Sequence, residues 1–386
     1  MNRIKVNIGG DIYLGRGVED IAISNPSELF GNNIFKLFAE SNLNVLNLES
    51  PITECSSENK ILKTGPHLKA KPQSLKALKT LNIDLVTLAN NHIYDFGDTG
   101  LDDTLSHLKI NNIDSVGAAK NLRDAQKIYY KKVSNIDLAF INFAENEWSS
   151  ATYNRGGTNP LDLIENSQSI KDAKLNADFV IVIVHGGHEN YQYPSPRMVK
   201  QFRYYADQGA DIVICHHAHR ISGYELYNSV PIFYGIGNFL FDSKSDLPGW
   251  NHGFVLSISI EKDKKLSWEI LPYSQCINTI GVELLHNDEK NEILDTIDDI
   301  NKVISDSEKL EQKFNHLAKS SEAFVLSIFS TSNILNSSFI KRVIRRLKLE
   351  RLFLRKNQIK SILNYTRCEA HYDVTKKVLE NYLNPK

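Results

Sequence analysis

The sequence has no apolar run long enough to cross a bilayer. Its first residues, MNRIKVNIGGDIYLGRG, lack the basic start and apolar middle of a secretory leader. The expectation is a cytoplasmic chain with no signal peptide and no transmembrane helix. Excess charge is missing too: 45 Lys and Arg stand against 46 Asp and Glu, a net charge of -1. With both signs spread along most of the chain, there is no bulk electrostatic footprint for nucleic acid, and none is expected as a partner. Cysteine is sparse, and Cys55, Cys215, Cys276 and Cys368 lack the paired spacing of zinc ribbons or redox motifs. A reducing compartment is the simpler reading. Internal repeats and low-complexity tracts are absent. What is present is an ordinary globular composition: 386 residues, 41% of them hydrophobic, can bury a full core and more than one structural unit.

Short β-type runs recur with helical stretches between them: IKVNIG, NVLNLE, IDLVTLA, IDLAFINFA, FVIVIVH, DIVICH, VPIFYGI and GFVLSISI, then KLSWEILPY. Several are apolar throughout, as strands covered on both faces are. SLKALKTL, DDTLSHLK and SPRMVKQFRYYADQGA have helical spacing, the last with Gly209 as its C-cap. The alternation predicts an α/β sheet. The closer spacing of the later strands predicts a layered, two-sheet sandwich. After about residue 286 the β-runs give way to Leu and Ile at helical spacing, so residues 1–280 are read as one domain and 286–386 as a helical extension. Within the extension, Ile340, Val343, Ile344 and Leu347 share one face of a basic helix near 339–356, and Lys341, Arg342, Arg345, Arg346, Lys348 and Arg351 cover the rest. Such a helix packs its stripe on the core or lies on an anionic membrane.

Polar residues collect where the strands end. IKVNIGGD ends in Asp11, NVLNLES in Asn47 and Glu49, and LVTLANNH in Asn90, Asn91 and His92. FVIVIVHGGHE ends in His185, with His188 and Glu189 beyond, and DIVICHHAH in His216, His217 and His219. Six of the twelve histidines thus lie near the carboxyl ends of strands, the edge where α/β sheets bind ligands. Carboxylate, amide oxygen and imidazole without thiolate suit Mn, Fe or Zn in a water-bearing site, not structural zinc. Two such ions bridged by a carboxylate make a hydroxide nucleophile at neutral pH and clamp an anionic transition state. Each piece alone has a plainer reading as a turn, a loop or a satisfied structural histidine. Recurrence at five strand ends is what points to a metal site.

GGDIYLGRG, LNLESPIT, LANNHIYDFGDTGLDDTL, VGAAKNLRDA, VHGGHENYQYPSP and QGADIVICHHAHRISGYELYNSVPIFYGIGNFLFD follow, in order, the motifs of the CapA/PgsA family of bacterial capsule and poly-γ-glutamate synthesis proteins. The chain resembles that family over more than half its length. The family is similar to calcineurin-like metallophosphoesterases. The resemblance implies an α/β, calcineurin-like metallophosphatase fold: a two-sheet β-sandwich flanked by helices in four layers, the strands from GFVLSISI onward in the second sheet, with a C-terminal helical extension. It implies a divalent metal cofactor, two ions of Mn, Fe or Zn. Position by position, Asp11, Glu49, Asn91, His185, His217 and His219 match metal ligands, with Glu49 bridging, and His92 matches the general acid. Tyr13 stands where the pattern often has histidine, leaving one metal position in question. Gly186, Asn190, Cys215 and Ala218 depart from the family's tryptophan, tyrosine, glycine and proline, changes in the pocket wall.

Asp95 either orients His92 or belongs to a simple turn with Gly97. Arg16, His67, His188, Glu189 and His216 are candidate substrate contacts, with Arg16 and His67 equally readable as surface residues. Asn238 is read first as a turn residue and second as a partner that supports a ligand. The expected function is a capsule or poly-γ-glutamate biosynthesis protein that hydrolyses a phosphoester or γ-glutamyl amide, His92 protonating the leaving group. The competing reading is a non-catalytic assembly factor that holds polymer in the same cleft. His92 and the His217/His219 pair favour the first, Tyr13 the second. Expected partners are an anionic polymer or phosphorylated precursor, capsule-synthesis proteins, and the inner membrane face through the basic helix.

Overall fold

The computed structural model describes residues 3–242, 247–262, 265–329, 346 and 356–383. The first half runs β1 (Arg3–Tyr13), α1 (Gly17–Ser24), α2 (Asn32–Ala39), β2 (Leu43–Leu48), α3 (Lys76–Thr80), β3 (Leu85–Thr87), α4 (Gly97–Ile110), β4 (Asp114–Val116), β5 (Ala118–Ala119) and α5 (Leu122–Ala125). Then come β6 (Tyr129–Val133), β7 (Ile136–Ala144), β8 (Gly157–Thr158), α6 (Leu163–Asn176), β9 (Phe179–His185), α7 (Pro196–Asp207) and β10 (Ile212–His216). β11 (Tyr224–Tyr227), β12 (Val230–Phe233), β13 (Asn238–Phe241), β14 (His252–Glu261), β15 (Leu266–Gln275) and β16 (Val282–Leu284) complete the strands. Helices α8 (Asn287–Ile304), α9 (Ser307–Phe329), α10 (Lys356–Arg367) and α11 (Glu369–Leu383) follow. Apart from Arg346 and Lys356, the basic stretch 339–356 lies outside the described residues.

Two sheets face each other. One is ordered β16-β15-β14-β1-β2-β3-β4, with β13 also paired to β1; the other is ordered β11-β12-β10-β9-β7-β6. The pleat sorts their side chains. Ile4, Val6 and Ile8 of β1, Leu43 and Val45 of β2, and Phe179, Ile181 and Ile183 of β9 meet in the core between the sheets. Leu46 and Leu48 turn outward to α1, α2, α3 and α4, while Val180, Val182 and Val184 turn outward to α6 and α7. The result is a four-layer sandwich, helices–sheet–sheet–helices. α8 reaches the inter-sheet core with Ile297 and the outer core of the second sheet with Ile300 and Ile304.

The late strands depart from expectation. β14 pairs antiparallel with β1 and continues into β15 and β16, so they extend the first sheet, not the second. β2 covers only one edge of β1, and the backbone groups on its other edge, buried in the middle of the molecule, need a partner. β14 supplies it, with Phe254, Leu256, Ile258 and Ile260 alternating into the inter-sheet core.

One irregularity in β1 positions the site. Ile8 faces the inter-sheet core and Ile12 the outer one, although their even spacing would place both on one face of a regular strand. The register shifts between Ile8 and Asp11, so Gly9–Gly10 holds an extra residue and returns Asp11 to the inner edge. Glycine is required there: a Cβ on Gly10 would lie 1.8 Å from the Gly237 carbonyl oxygen. Gly10→Ala is expected to cost about 3 kcal/mol or more, as backbone overpacking does, read as a lowered midpoint in urea.

Candidate metal centre

The inner edges of both sheets end in polar side chains. His185 continues the inward parity of β9 and His216 that of β10. Beyond β10 the chain turns sharply, with His217 at φ 91° and His219 at φ 56°, a left-handed conformation that costs a non-glycine residue about 1–3 kcal/mol. The turn brings the His217 N–H to Asp11 Oδ2 at 3.2 Å, and the His217 Nδ1 to His185 Nε2 at 3.0 Å. Asp11 also accepts from Asn47 Nδ2 at 2.7 Å, and Asn47 is itself held by Thr87 Oγ1 at 3.1 Å. Asn91 Oδ1 lies 3.2 Å from His185 Nε2. His216 stays buried at the same edge, electrostatically coupled to Asp11.

Glu49 sits in the middle, 0% exposed, and neither carboxylate oxygen has a hydrogen-bond partner. Its Oε1 is 3.7 Å from His185 Nε2 and 3.8 Å from His219 Nε2. Two groups of ligand atoms share it: Glu49, His185 and His217 form one, and Asp11, Glu49 and His219 the other, the atoms of each within 4.8 Å of one another. A buried carboxylate with no donor is expensive, and a cation between these atoms removes the cost. Electrostatics agree. Burial, reinforced by Asp11, Glu189 and Glu147, pushes the Glu49 carboxyl well above its usual range despite His219. Burial opposes charge on His219 as well, but Glu49 and Asp11 outweigh it and push its pKa up to about 10, a sign of the negative potential that a bound cation would answer. The donor set of carboxylate, imidazole and amide fits a divalent metal.

His92 lies beside the cluster, 6% exposed. Its Nδ1 is 2.7 Å from Asp95 Oδ2, which also accepts from the Leu68 N–H at 2.7 Å. Asp95 therefore orients the ring while also closing the turn expected of it, through its own N–H to the His92 carbonyl. Lys63, which carried no signal in the sequence, is buried against both, bonded to Asp95 and 3.2 Å from His92 Nδ1. Burial, then Lys63, lowers the His92 pKa against the pull of Asp95.

The remaining candidates are spread out. Glu189 is an exposed residue, its carboxyl held down against desolvation by His217, His219 and His92. Arg16 is over the Tyr13 ring, 5.9 Å from its centroid, and lines a separate cavity of about 390 Å³ with Glu19, Glu54, Lys69 and Lys71. His67 bonds the Ile61 carbonyl at 2.8 Å. Tyr13 packs on Phe241, with its hydroxyl donating to the Lys69 carbonyl at 3.3 Å. Asn238 opens β13 and is no turn residue: its Oδ1 is 2.9 Å from His219 Nδ1, fixing that ring. Glu147, missed in the sequence, reaches 3.7 Å from His217 Nε2. It follows the end of β7, so the strand-end rule applied to IDLAFINFAENEW finds it.

His188 leaves the cluster and packs on Phe314, its ring nitrogens buried and unbonded. Burial, against Glu145 and with Arg197 and His371 nearby, lowers its pKa to about 4 from 6.5. Between those values the unfolded chain binds more protons, so stability rises with pH through this window and is lost as pH falls through it. The difference in unfolding free energy between wild type and His188→Gln is expected to change by on the order of 2 kcal/mol from pH 7 to pH 4, measured in urea at each pH.

The layered sandwich, with carboxylates, imidazoles and an amide gathered at one edge, is the arrangement expected from the resemblance to calcineurin-like metallophosphoesterases. The chain belongs to the bacterial capsule synthesis protein PGA_cap family, whose model matches residues 5–243. It is 35% identical over 269 residues to the PGA biosynthesis protein CapA of Bacillus subtilis, covering 68% of this chain and 69% of that one. It is 32% identical to the capsule biosynthesis protein CapA of Bacillus anthracis, covering 64% of this chain and 61% of that relative. Among solved structures it is similar to a hypothetical protein of Thermus thermophilus (TM-score 0.44, 13% identity, 70% of this chain and 99% of that one). It is also similar to a putative 5'-nucleotidase of Staphylococcus aureus (TM-score 0.41, 15% identity, 77% of this chain and 58% of that one). Likeness at that level adds nothing to the fold read from the strands. Among the described residues, no helix is long and apolar enough to cross a membrane.

Proposed function

We propose that this chain is a metal-dependent hydrolase of capsule or poly-γ-glutamate biosynthesis, cleaving a phosphoester or a γ-glutamyl amide in an anionic polymer or its precursor. The observation that carries the reading is Glu49, buried with both oxygens unpartnered and common to two groups of ligand atoms. Asp11, Glu49 and His219 would hold one divalent ion, and Glu49, Asn91, His185 and His217 the other. When bound, such a pair activates water and neutralises developing anionic charge. The chain's own residues complete the chemistry. Asn47 and Asn238 fix the Asp11 carboxylate and the His219 ring before substrate arrives. Asp95, itself held by Lys63, accepts from His92 Nδ1–H, leaving Nε2 as the end that delivers a proton to the leaving oxygen or nitrogen. A pKa lowered by burial makes the charged ring a ready donor.

A second reading rests on Tyr13, whose hydroxyl is bonded to the Lys69 carbonyl, so that the first ion has three protein ligands in the cluster. With that ion weakly held, the cleft would bind polymer without cutting it. The two readings separate on incubation of the Mn²⁺-loaded chain with γ-linked oligoglutamate and with a generic phosphodiester. Release of glutamate or of the ester's alcohol, lost on chelation, is expected. Incomplete metal loading without turnover of either substrate would favour the binding role.

A further inference from the structure

The loop joining α10 to α11 is clamped over the segment that follows β7. Glu145 accepts from Arg197 Nη2 at 2.6 Å and from the Ala370 N–H at 3.0 Å. Glu369 accepts from the N–H and the side-chain amide of Asn146 at 2.8 and 2.6 Å. Asp373 accepts from Arg197 Nε at 2.6 Å and Ser195 Oγ at 3.0 Å. Gly186 makes room, because a Cβ there would lie 2.6 Å from Glu145 Cγ. The polar groups in this clamp are mutually satisfied, so the clamp is a fixed part of the fold.

Arg367, the last residue of α10, is the exception. Its guanidinium lies over the Trp148 ring, 3.9 Å from the centroid, and the indole N–H is tied to Thr64 Oγ1 at 3.0 Å, so the platform is rigid. Its Nε and Nη2 are buried and have no hydrogen-bond partner among the described residues. Unpaired buried donors on a charged group cost free energy that no hydrogen bond among the described residues returns. Next to Trp148 in sequence is Glu147, the carboxylate that reaches His217. Arg367 is thus stacked beside the residue next to Glu147, with which it interacts electrostatically, and its two side-on donors have no partner among the described residues, the arrangement that grips a carboxylate or phosphate bidentately.

We propose that Arg367 is a specificity-determining residue that binds an anionic oxygen group of the substrate, a carboxylate or a phosphate, beside the metal cluster. The inference rests on the anionic substrate of the proposed function. It adds that the reader of that anion comes from the C-terminal helices, outside the residues matched by the family model. A simple structural role would be filled by any long apolar side chain on Trp148; an anion contact would not.

The test uses the full, metal-loaded chain and its Arg367→Met and Arg367→Lys variants. Calorimetric titration is run with γ-linked triglutamate, with its α-methyl ester, and with inorganic phosphate. Arg367→Met is expected to weaken one of the two anions by about tenfold or more, to leave the ester unchanged, and to melt within about 2 °C of wild type. Arg367→Lys should fall between them. A response to triglutamate identifies a carboxylate subsite, and a response to phosphate a phosphoryl one. Affinity for both anions within about twofold of wild type in Arg367→Met, an equal loss for the ester, or no anion binding by wild type would each overturn the proposal. The readout needs no turnover, so a chain that binds metal and anion yet cuts nothing removes the hydrolase reading and leaves this one standing.

Discussion

Glu49→Gln is expected to abolish high-affinity metal binding while leaving the fold intact. The amide keeps the volume of the carboxylate in a site that is 0% exposed, so packing is undisturbed. It removes the charge on which both groups of ligand atoms converge. A metal that binds only the folded chain stabilises it by about 4 kcal/mol at a thousandfold excess over Kd. Chelation should therefore lower the melting temperature of the wild type and leave that of Glu49→Gln unmoved. Removing a shared ligand is expected to weaken metal binding by more than the roughly 10–100-fold that loss of an outer-shell partner brings. Equal metal content in the two proteins, by elemental analysis, would mean that Glu49 is no ligand.

His92→Ala should do the opposite: metal stays and turnover goes. No atom of His92 belongs to either ligand group, and its contacts are with Asp95 and Lys63. Loss of a positioned general acid costs about 10²–10⁴ in kcat. The pH profile gives the sign. A general acid works protonated, so wild-type activity should fall as pH rises through the His92 pKa, which burial places below the ordinary histidine value. His92→Ala should lose that limb along with its rate. Asp95→Asn should keep part of the rate, since Lys63 still faces the ring. A kcat within about threefold of wild type in His92→Ala would remove the acid role.

The grouping of the candidate ligands was legible because these residues announce themselves where β-runs stop, and strand ends of a layered sheet share an edge. Asp11, Glu49, Asn91, His185, His217 and His219 all arrive there. Even the bulge that aims Asp11 was present in the sequence as Gly9–Gly10, although without Gly237 beside it those glycines read as a turn. Lys63 was invisible: it lies in an irregular loop, and only the fold carries it to His92, 29 residues further along the chain, and to Asp95. Arg367 was hidden in the same way by a long separation in sequence from Trp148, and it sat in a helix that periodicity could mark only as amphipathic. Asn238 looked like a turn because Gly235 and Gly237 precede it, while its amide in fact fixes His219. The pairing of β14 with β1 turned on a long-range question, which buried strand edge needs a partner, and local patterning does not answer that.

The most direct measurement is metal content per chain, by elemental analysis after reconstitution with Mn²⁺ and desalting, for wild type and His217→Ala. The expected result is near two ions per chain in wild type and a clear loss in His217→Ala, with secondary structure unchanged by circular dichroism. A wild-type chain that binds no metal, or a His217→Ala variant that binds as much, would contradict the metal centre itself.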